Sequence, residues 1–196
     1  MNRDKFKITA GAALLFSAIY FISDWDTILI LTLAVGIHEL GHLAALRIMG
    51  AKVRDVRVSL TGLCISYCGR LSYFNQFIAA LMGPLFGIAA AIAAAALGAK
   101  FCSSLLNTFA GLSAILSGFN LLPALPLDGG RMLSSLALAA NADADRLMDL
   151  SGLITGVALL LPGLFFVWQG KGLALFIAAV WLLLGQSGLV KRAGVL

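Results

Sequence analysis

The sequence predicts an all-α polytopic membrane protein: six transmembrane helices, with a small cytoplasmic-side β-hairpin between helices two and three. Three observations predict it: an apolar composition, uncharged runs of membrane-spanning length, and basic residues confined almost wholly to one side. Residues of the AVILMFWYC set make up 61% of the 196, against roughly 45–50% in soluble domains even with glycine counted. Charged residues are 12%, about half the usual share. A soluble chain of this size still exposes about 30% of its unfolded surface, and 14 basic plus 9 acidic side chains are too few to cover it. Lipid is therefore the solvent for most of the surface. That excludes a soluble enzyme, a disordered segment, a disulfide scaffold and a nucleic-acid module. Cys64, Cys68 and Cys102 form neither an even secretory framework nor a paired metal motif, and read as reduced thiols with a packing role.

The elements follow from cutting the chain at its charges. The first span, about 8–23, is the uncharged run Ile8–Ser23. Arg3, Lys5 and Lys7 precede it as in a signal peptide, but no small-x-small cleavage site follows before Asp24, so the span is retained. The second, about 27–48, starts at Thr27, is interrupted by His38 and Glu39, and then runs on through Gly41 and Ala45. Between about 51 and 68 the pattern changes to alternation through Val53, Arg54, Val56, Arg57, Val58 and Ser59. It turns at Thr61-Gly62 and resumes with Ile65 and Tyr67, the signature of two short strands. The remaining spans, about 72–98, 103–122, 146–168 and 172–190, occupy the uncharged runs Leu71–Ala99, Phe101–Leu127, Leu150–Gly170 and Gly172–Val190. Each run approaches or exceeds the roughly 20 apolar residues that cross the hydrocarbon core. Residues 1–196 form one domain with no internal repeat.

Orientation follows from the basic residues. With the N-terminus inside, Arg3, Lys5, Lys7, Arg47, Lys52, Arg54, Arg57, Arg70, Arg131, Arg146, Lys191 and Arg192 are cytoplasmic, and only Lys100 and Lys171 lie opposite. This positive-inside bias places both termini in the cytosol of a multi-pass cell-membrane protein. It also accounts for the net charge of +5 without nucleic acid.

The second span carries His38-Glu39-Leu40-Gly41-His42, an HExxH pattern that holds both histidines of the chain. Positions i and i+4 of a helix lie about 40° apart and one turn along, so both imidazoles reach one metal ion. Glu39 projects beside them, as suits a general base for water. Ionised groups inside a membrane helix cost at least about 2.5–3.5 kcal/mol each, which makes a structural explanation weak. A catalytic zinc takes three protein ligands and keeps one position open. Asp128 is the third candidate. It follows Asn120-Leu121-Leu122-Pro123-Ala124-Leu125-Pro126-Leu127 and precedes Gly129-Gly130; so dense a set of helix breakers at membrane depth is tolerated only in protein or beside a wet cavity. His38, twelve residues past Asp26, sits about 18 Å into a core of about 30 Å, and Asp128 just before Arg131 is expected at a similar level.

HELGH in a second span, Gly83-Pro84 in a third and NxxPxxPLDGGR after a fourth resemble the site-2 protease family of intramembrane zinc metalloproteases. The arrangement covers essentially the whole chain and is most similar to the small sporulation-type and archaeal branch without a PDZ domain. The resemblance implies one zinc held by His38, His42 and Asp128, with Glu39 as general base. It implies cleavage of single-span or membrane-associated proteins, such as a transcription-factor precursor or an anti-sigma factor, near the cytoplasmic side of a prokaryotic plasma membrane. An inhibitory membrane partner is expected with it. Asn120 is either a helix–helix hydrogen bond or a polar group that holds substrate backbone or steadies an oxyanion; Pro123 and Pro126 belong to the same substrate-side set. Gly83 and Pro84 are packing and kink devices or substrate contacts. The hairpin is an interfacial loop or an edge strand that pairs with unwound substrate. Gly87 stands where the family often has asparagine, and no cystathionine-synthase-like domain is present. A transporter and a metal-binding scaffold without proteolysis are the rivals; neither explains HExxH with its glutamate.

Overall fold

The computed structural model describes residues 6–8, 24–59, 62–68, 71–170 and 173–186. The first expected span, 9–23 in particular, lies outside them. The chain divides into two compact units, Met1–Phe119 and Asn120–Leu196.

In the first unit, a sheet of order β1-β2-β3 comprises β1 (Phe6–Ile8), β2 (Lys52–Ser59) and β3 (Gly62–Cys68). β2 and β3 run antiparallel from Lys52 opposite Cys68 to Ser59 opposite Gly62, with an irregularity between Val53 and Asp55. β1 adds parallel to β2, with Lys7 opposite Arg57. The alternating segment thus lies in strands, and Phe6–Ile8, at the start of the first expected span, supplies a third one.

Three helices complete this unit. α1 (Trp25–Ile48) has Asp26 in its first turn and Arg47 in its last, each suited to the helix dipole. It ends where Gly50 takes φ +73°, a left-handed conformation that lets the Ala51 N–H donate to the Leu46 carbonyl at 2.9 Å. α2 (Tyr73–Phe101) is capped by Ser72, whose Oγ accepts from the Asn75 N–H at 3.2 Å. α3 (Ser104–Asn120) follows within three residues, its start held by Ser103 Oγ accepting from the Leu106 N–H. Ile30 and Ala34 of α1, Ala94 of α2, and Phe109 and Ala110 of α3 form one core; Ala45, Leu46 and Ala79 form a second. Both are rich in small residues, which lets helix backbones approach in the absence of a hydrophobic drive between helices in lipid. Large apolar side chains such as Leu29, Leu33, Ile92 and Leu97 face outward.

The second unit begins with the irregular segment 121–127, closed by the Ala124 N–H to the Leu122 carbonyl and the Leu127 N–H to the Ala124 carbonyl. It continues with α4 (Asp128–Ala139), α5 (Ala144–Trp168) and α6 (Ala174–Gln186). Asp143 caps α5, accepting from the Arg146 N–H at 3.0 Å. α5 and α6 pack at glycines: a Cβ on Gly163 would come within 2.9 Å of the Phe176 backbone.

The six-span expectation is corrected here. Among the described residues three helices are long and apolar enough to cross a membrane: Trp25–Ile48, Tyr73–Phe101 and Ala144–Trp168. The fourth expected span stops after 17 residues, about 26 Å against a core of about 30 Å, because the prolines after Asn120 prevent its continuation. The sixth is a helix of 13 residues, and 187–190 lie outside the described residues. α4 occupies a stretch expected to be a connector. Cys102 is a free thiol, as expected, but is exposed at the left-handed cap of α2 rather than packed.

Candidate metal centre

His38 and His42 sit one turn apart on α1 and are both buried, 3% and 8% exposed. Their rings meet edge to face, with Nε2 to Nε2 at 3.3 Å. His42 Nδ1 lies 2.7 Å from the Ala79 carbonyl oxygen. A carbonyl only accepts, so the proton of a neutral His42 is on Nδ1 and the Nε2 lone pair points at His38. Two imidazole nitrogens this close require a proton or a cation between them. Tetrahedral zinc with bonds of about 2.0–2.1 Å sets two nitrogen ligands about 3.3–3.4 Å apart. The pair fits that ion, and the Ala79 carbonyl supplies the outer hydrogen bond that fixes the tautomer of a metal-bound histidine.

Two glycines make this possible. A Cβ on Gly83 would fall on the His42 imidazole, and a Cβ on Gly41 would run into the Met82 carbonyl. α1 and α2 therefore cross with backbone against backbone at the HExxH turn. Glu39, next to His38, is half-buried, while Leu40 on the far side of the helix is exposed. Pro84 is fully buried inside α2.

Asp128 belongs to the second unit. It is the first residue of α4 and only 5% exposed, at the helix end whose dipole favours a carboxylate. Its Oδ1 lies 3.6 Å from Arg131 Nη1, one turn along. Gly129 and Gly130 hold the turn against the preceding segment: a Cβ on either would collide with the backbone of Leu121 and Leu122 or of Ala124. Asn120 ends α3 half-buried; Pro123 is exposed and Pro126 half-buried in the break. Sequence reasoning missed Gly41 and the Ala79 carbonyl. The glycine inside HExxH was the available signal for the first; a backbone carbonyl in an alanine run offers none.

No family model matches the chain. Over 118 residues it is 29% identical to a zinc metalloprotease of Methanocaldococcus jannaschii, a stretch that is 57% of this chain and 34% of that protein. The match thus spans about a third of the length of the curated relative. The structure of a site-2 protease from M. jannaschii superimposes with a TM-score of 0.72 at 21% identity, over 95% of this chain and 91% of that one. The chain has the fold of that protease.

Proposed function

We propose that this chain, with its site-2 protease fold, is a membrane-embedded zinc metalloendopeptidase that cleaves membrane-spanning or membrane-associated proteins near the cytoplasmic face, in regulated intramembrane proteolysis. The observation that carries the reading is the 3.3 Å approach of two buried imidazole nitrogens with the outer nitrogen of His42 held by a carbonyl. Similarity to a zinc metalloprotease supports it.

In this reading the two units act as one catalytic domain in a multi-pass protein with both termini in the cytosol. The uncharged runs and the one-sided basic residues support that topology. His38, His42 and Asp128, all buried, would hold one zinc. Zinc, when bound, supplies Lewis-acid polarisation of the scissile carbonyl and of a water. Glu39 takes a proton from the attacking water and delivers it to the leaving amine. The Ala79 carbonyl keeps the His42 ring in its ligating tautomer. Asn120 holds the substrate backbone or steadies the oxyanion, beside a break made by Pro123 and Pro126. Gly83 fits α2 against the His42 ring, and Pro84 is a packing and kink device within α2.

Glu39→Gln keeps the shape and removes the base. It is expected to retain one zinc per chain by elemental analysis and to lose at least about 100-fold in turnover, the usual scale of general-base catalysis. The assay is cleavage of a single-span protein in vesicles. Undiminished cleavage would sink the Glu39 assignment. The same variant, used as a trap in native membranes, is the means to identify the substrate and any inhibitory partner.

A further inference from the structure

Two registers fix which residues of the sheet share a face, because partners across strands lie on one face and neighbours along a strand on opposite faces. Val53, Val56 and Val58 of β2 are registered with Tyr67, Ile65 and Leu63 of β3. Val56 and Val58 are registered also with Phe6 and Ile8 of β1. One face is thus apolar across all three strands. The β2–β3 register skips Arg54, since Val53 pairs with Tyr67 and Asp55 with Ser66. This bulge makes the sorting possible. Strict alternation from Val53 would put Asp55 and Arg57 among the apolar residues, but one extra residue shifts the phase and leaves Arg54 and Asp55 together on the other face. That face carries Lys7, Lys52, Arg54 and Arg57 against Asp55 alone among the described strand residues. Lys7 is registered with Arg57, and like charges directly opposite destabilise a sheet unless an anion joins them.

The chain ties this sheet to the bilayer boundary. α1 ends at Ile48 and β2 starts at Lys52; β3 ends at Cys68 and α2 starts at Tyr73. Both helices are long and apolar enough to cross a membrane. The connection from Ile48 to Lys52 reaches at most about 15 Å, and the Ala51 N–H donates back to the Leu46 carbonyl at 2.9 Å. At the sheet's two feet, Ala51 and Leu71 pack on the core of Ala45, Leu46 and Ala79. Ile48, Tyr73 and Phe74 beside them are exposed, so the apolar outer surface of the helices continues to the feet. An apolar sheet face needs a covering layer. An element with one apolar and one basic face lies in the plane of the membrane interface, apolar side on the acyl chains. The cytoplasmic leaflet, where the basic residues place this end of α1 and α2, is the anionic one.

We propose that the sheet β1-β2-β3 is a binding surface for anionic phospholipid: its apolar face seats on acyl chains, and its basic face lies among the phosphates of the same leaflet. This site depends on the membrane topology proposed above and not on zinc or cleavage. The test uses the full-length protein in phosphatidylcholine vesicles doped with phosphatidylglycerol that carries a diazirine in its acyl chain. After irradiation, tags mapped by mass spectrometry are expected on Val56, Val58, Ile65 or Tyr67 and not on Arg57, Cys64 or Ser66. Tags confined to the helices, or equal on alternate strand residues, overturn the seating. A basic residue at an anionic surface is worth about fivefold in affinity. Phosphatidylglycerol should therefore tag the sheet about 25-fold or more over the matching phosphatidylcholine probe. Arg57→Gln should lower that ratio about fivefold, and adding Lys52→Gln should lower it about fivefold again. Lys100→Gln, at the far end of α2, should keep it. In about 1 M KCl the screening length falls to about 3 Å, and the two probes should tag alike. Equal tagging by the two probes at low salt overturns the proposal in the wild type itself, even where a variant does not fold. Loss of tagging on adding inorganic phosphate would reveal a free-anion site and overturn it too. A protein tagged as expected that cleaves nothing overturns the protease reading and leaves the lipid site standing.

Discussion

The HExxH turn and the Asp128 turn place their ligand-type side chains by opposite means. His38 and His42 ride on the 24-residue helix α1, and regular geometry sets their separation. What had to be arranged there is the surroundings: Gly41 and Gly83 remove the Cβ atoms that would keep α2 away, and the Ala79 carbonyl then reaches His42. Asp128 has no regular element before it. Its position is set by a break carrying two prolines and by two glycines that press the start of α4 onto the carbonyls of Leu121, Leu122 and Ala124. A regular helix gives spacing without effort but must be approached by a neighbour. A broken backbone can aim a single side chain, but every residue of the break is then constrained. The histidine pair should therefore be most sensitive to its neighbouring helix, and the aspartate to its own segment.

The largest expected effect tests the first half of that contrast. Gly83→Ala puts a methyl where the His42 ring lies. Zinc affinity, measured by competition with a chromophoric chelator, should fall by about 100-fold or more, the upper end for changes just outside a metal's ligands, and proteolysis with it. Wild-type affinity would mean that α2 can move aside and that the close crossing is incidental. Gly129→Ala tests the second half. A methyl there collides with backbone rather than with a side-chain tip, so the segment itself must shift. The expected loss is about 1–3 kcal/mol of stability, as for overpacking generally, read as a lowered melting temperature.

The same contrast explains what the sequence made legible. The HExxH spacing needs only the helical repeat, and the expected spans 27–48, 72–98 and 146–168 correspond to helices Trp25–Ile48, Tyr73–Phe101 and Ala144–Trp168. Long apolar runs announce themselves because lipid demands them. α4 was not legible: it opens Asp-Gly-Gly, a helix-breaking start, and forms because its glycines pack on the preceding turn. Nor was the length of α3, where an uncharged run of 27 residues contains a helix of 17. Hydropathy reports the solvent, and the prolines decide where the helix stops.

Arg131 offers a smaller effect on the aspartate side. Its guanidinium is half exposed and 3.6 Å from Asp128 Oδ1, so the pair is partly screened. Arg131→Ala should weaken zinc binding by no more than about tenfold, the low end for outer-shell partners, and Arg131→Lys less. A loss as large as that of Gly83→Ala would show that the ion pair, rather than the glycine turn, aims the carboxylate.

The smallest expected effect separates helix stability from site geometry. Ser72 caps α2, the helix that supplies both Gly83 and the Ala79 carbonyl, but the cap is seven residues away from Ala79. Ser72→Ala should cost about 1 kcal/mol through one lost N-terminal acceptor and leave zinc affinity unchanged, because the first turn of α2 can fray without moving the Ala79 carbonyl or the crossing at Gly83. Asp at position 72 should restore the stability, since its carboxylate also accepts from the Asn75 N–H and suits the helix dipole. If Ser72→Ala instead lowered zinc affinity alongside the melting temperature, α2 would be holding His42 as one rigid rod from its first residue. The neighbour-helix dependence inferred for the histidine pair would then extend to the end of that helix.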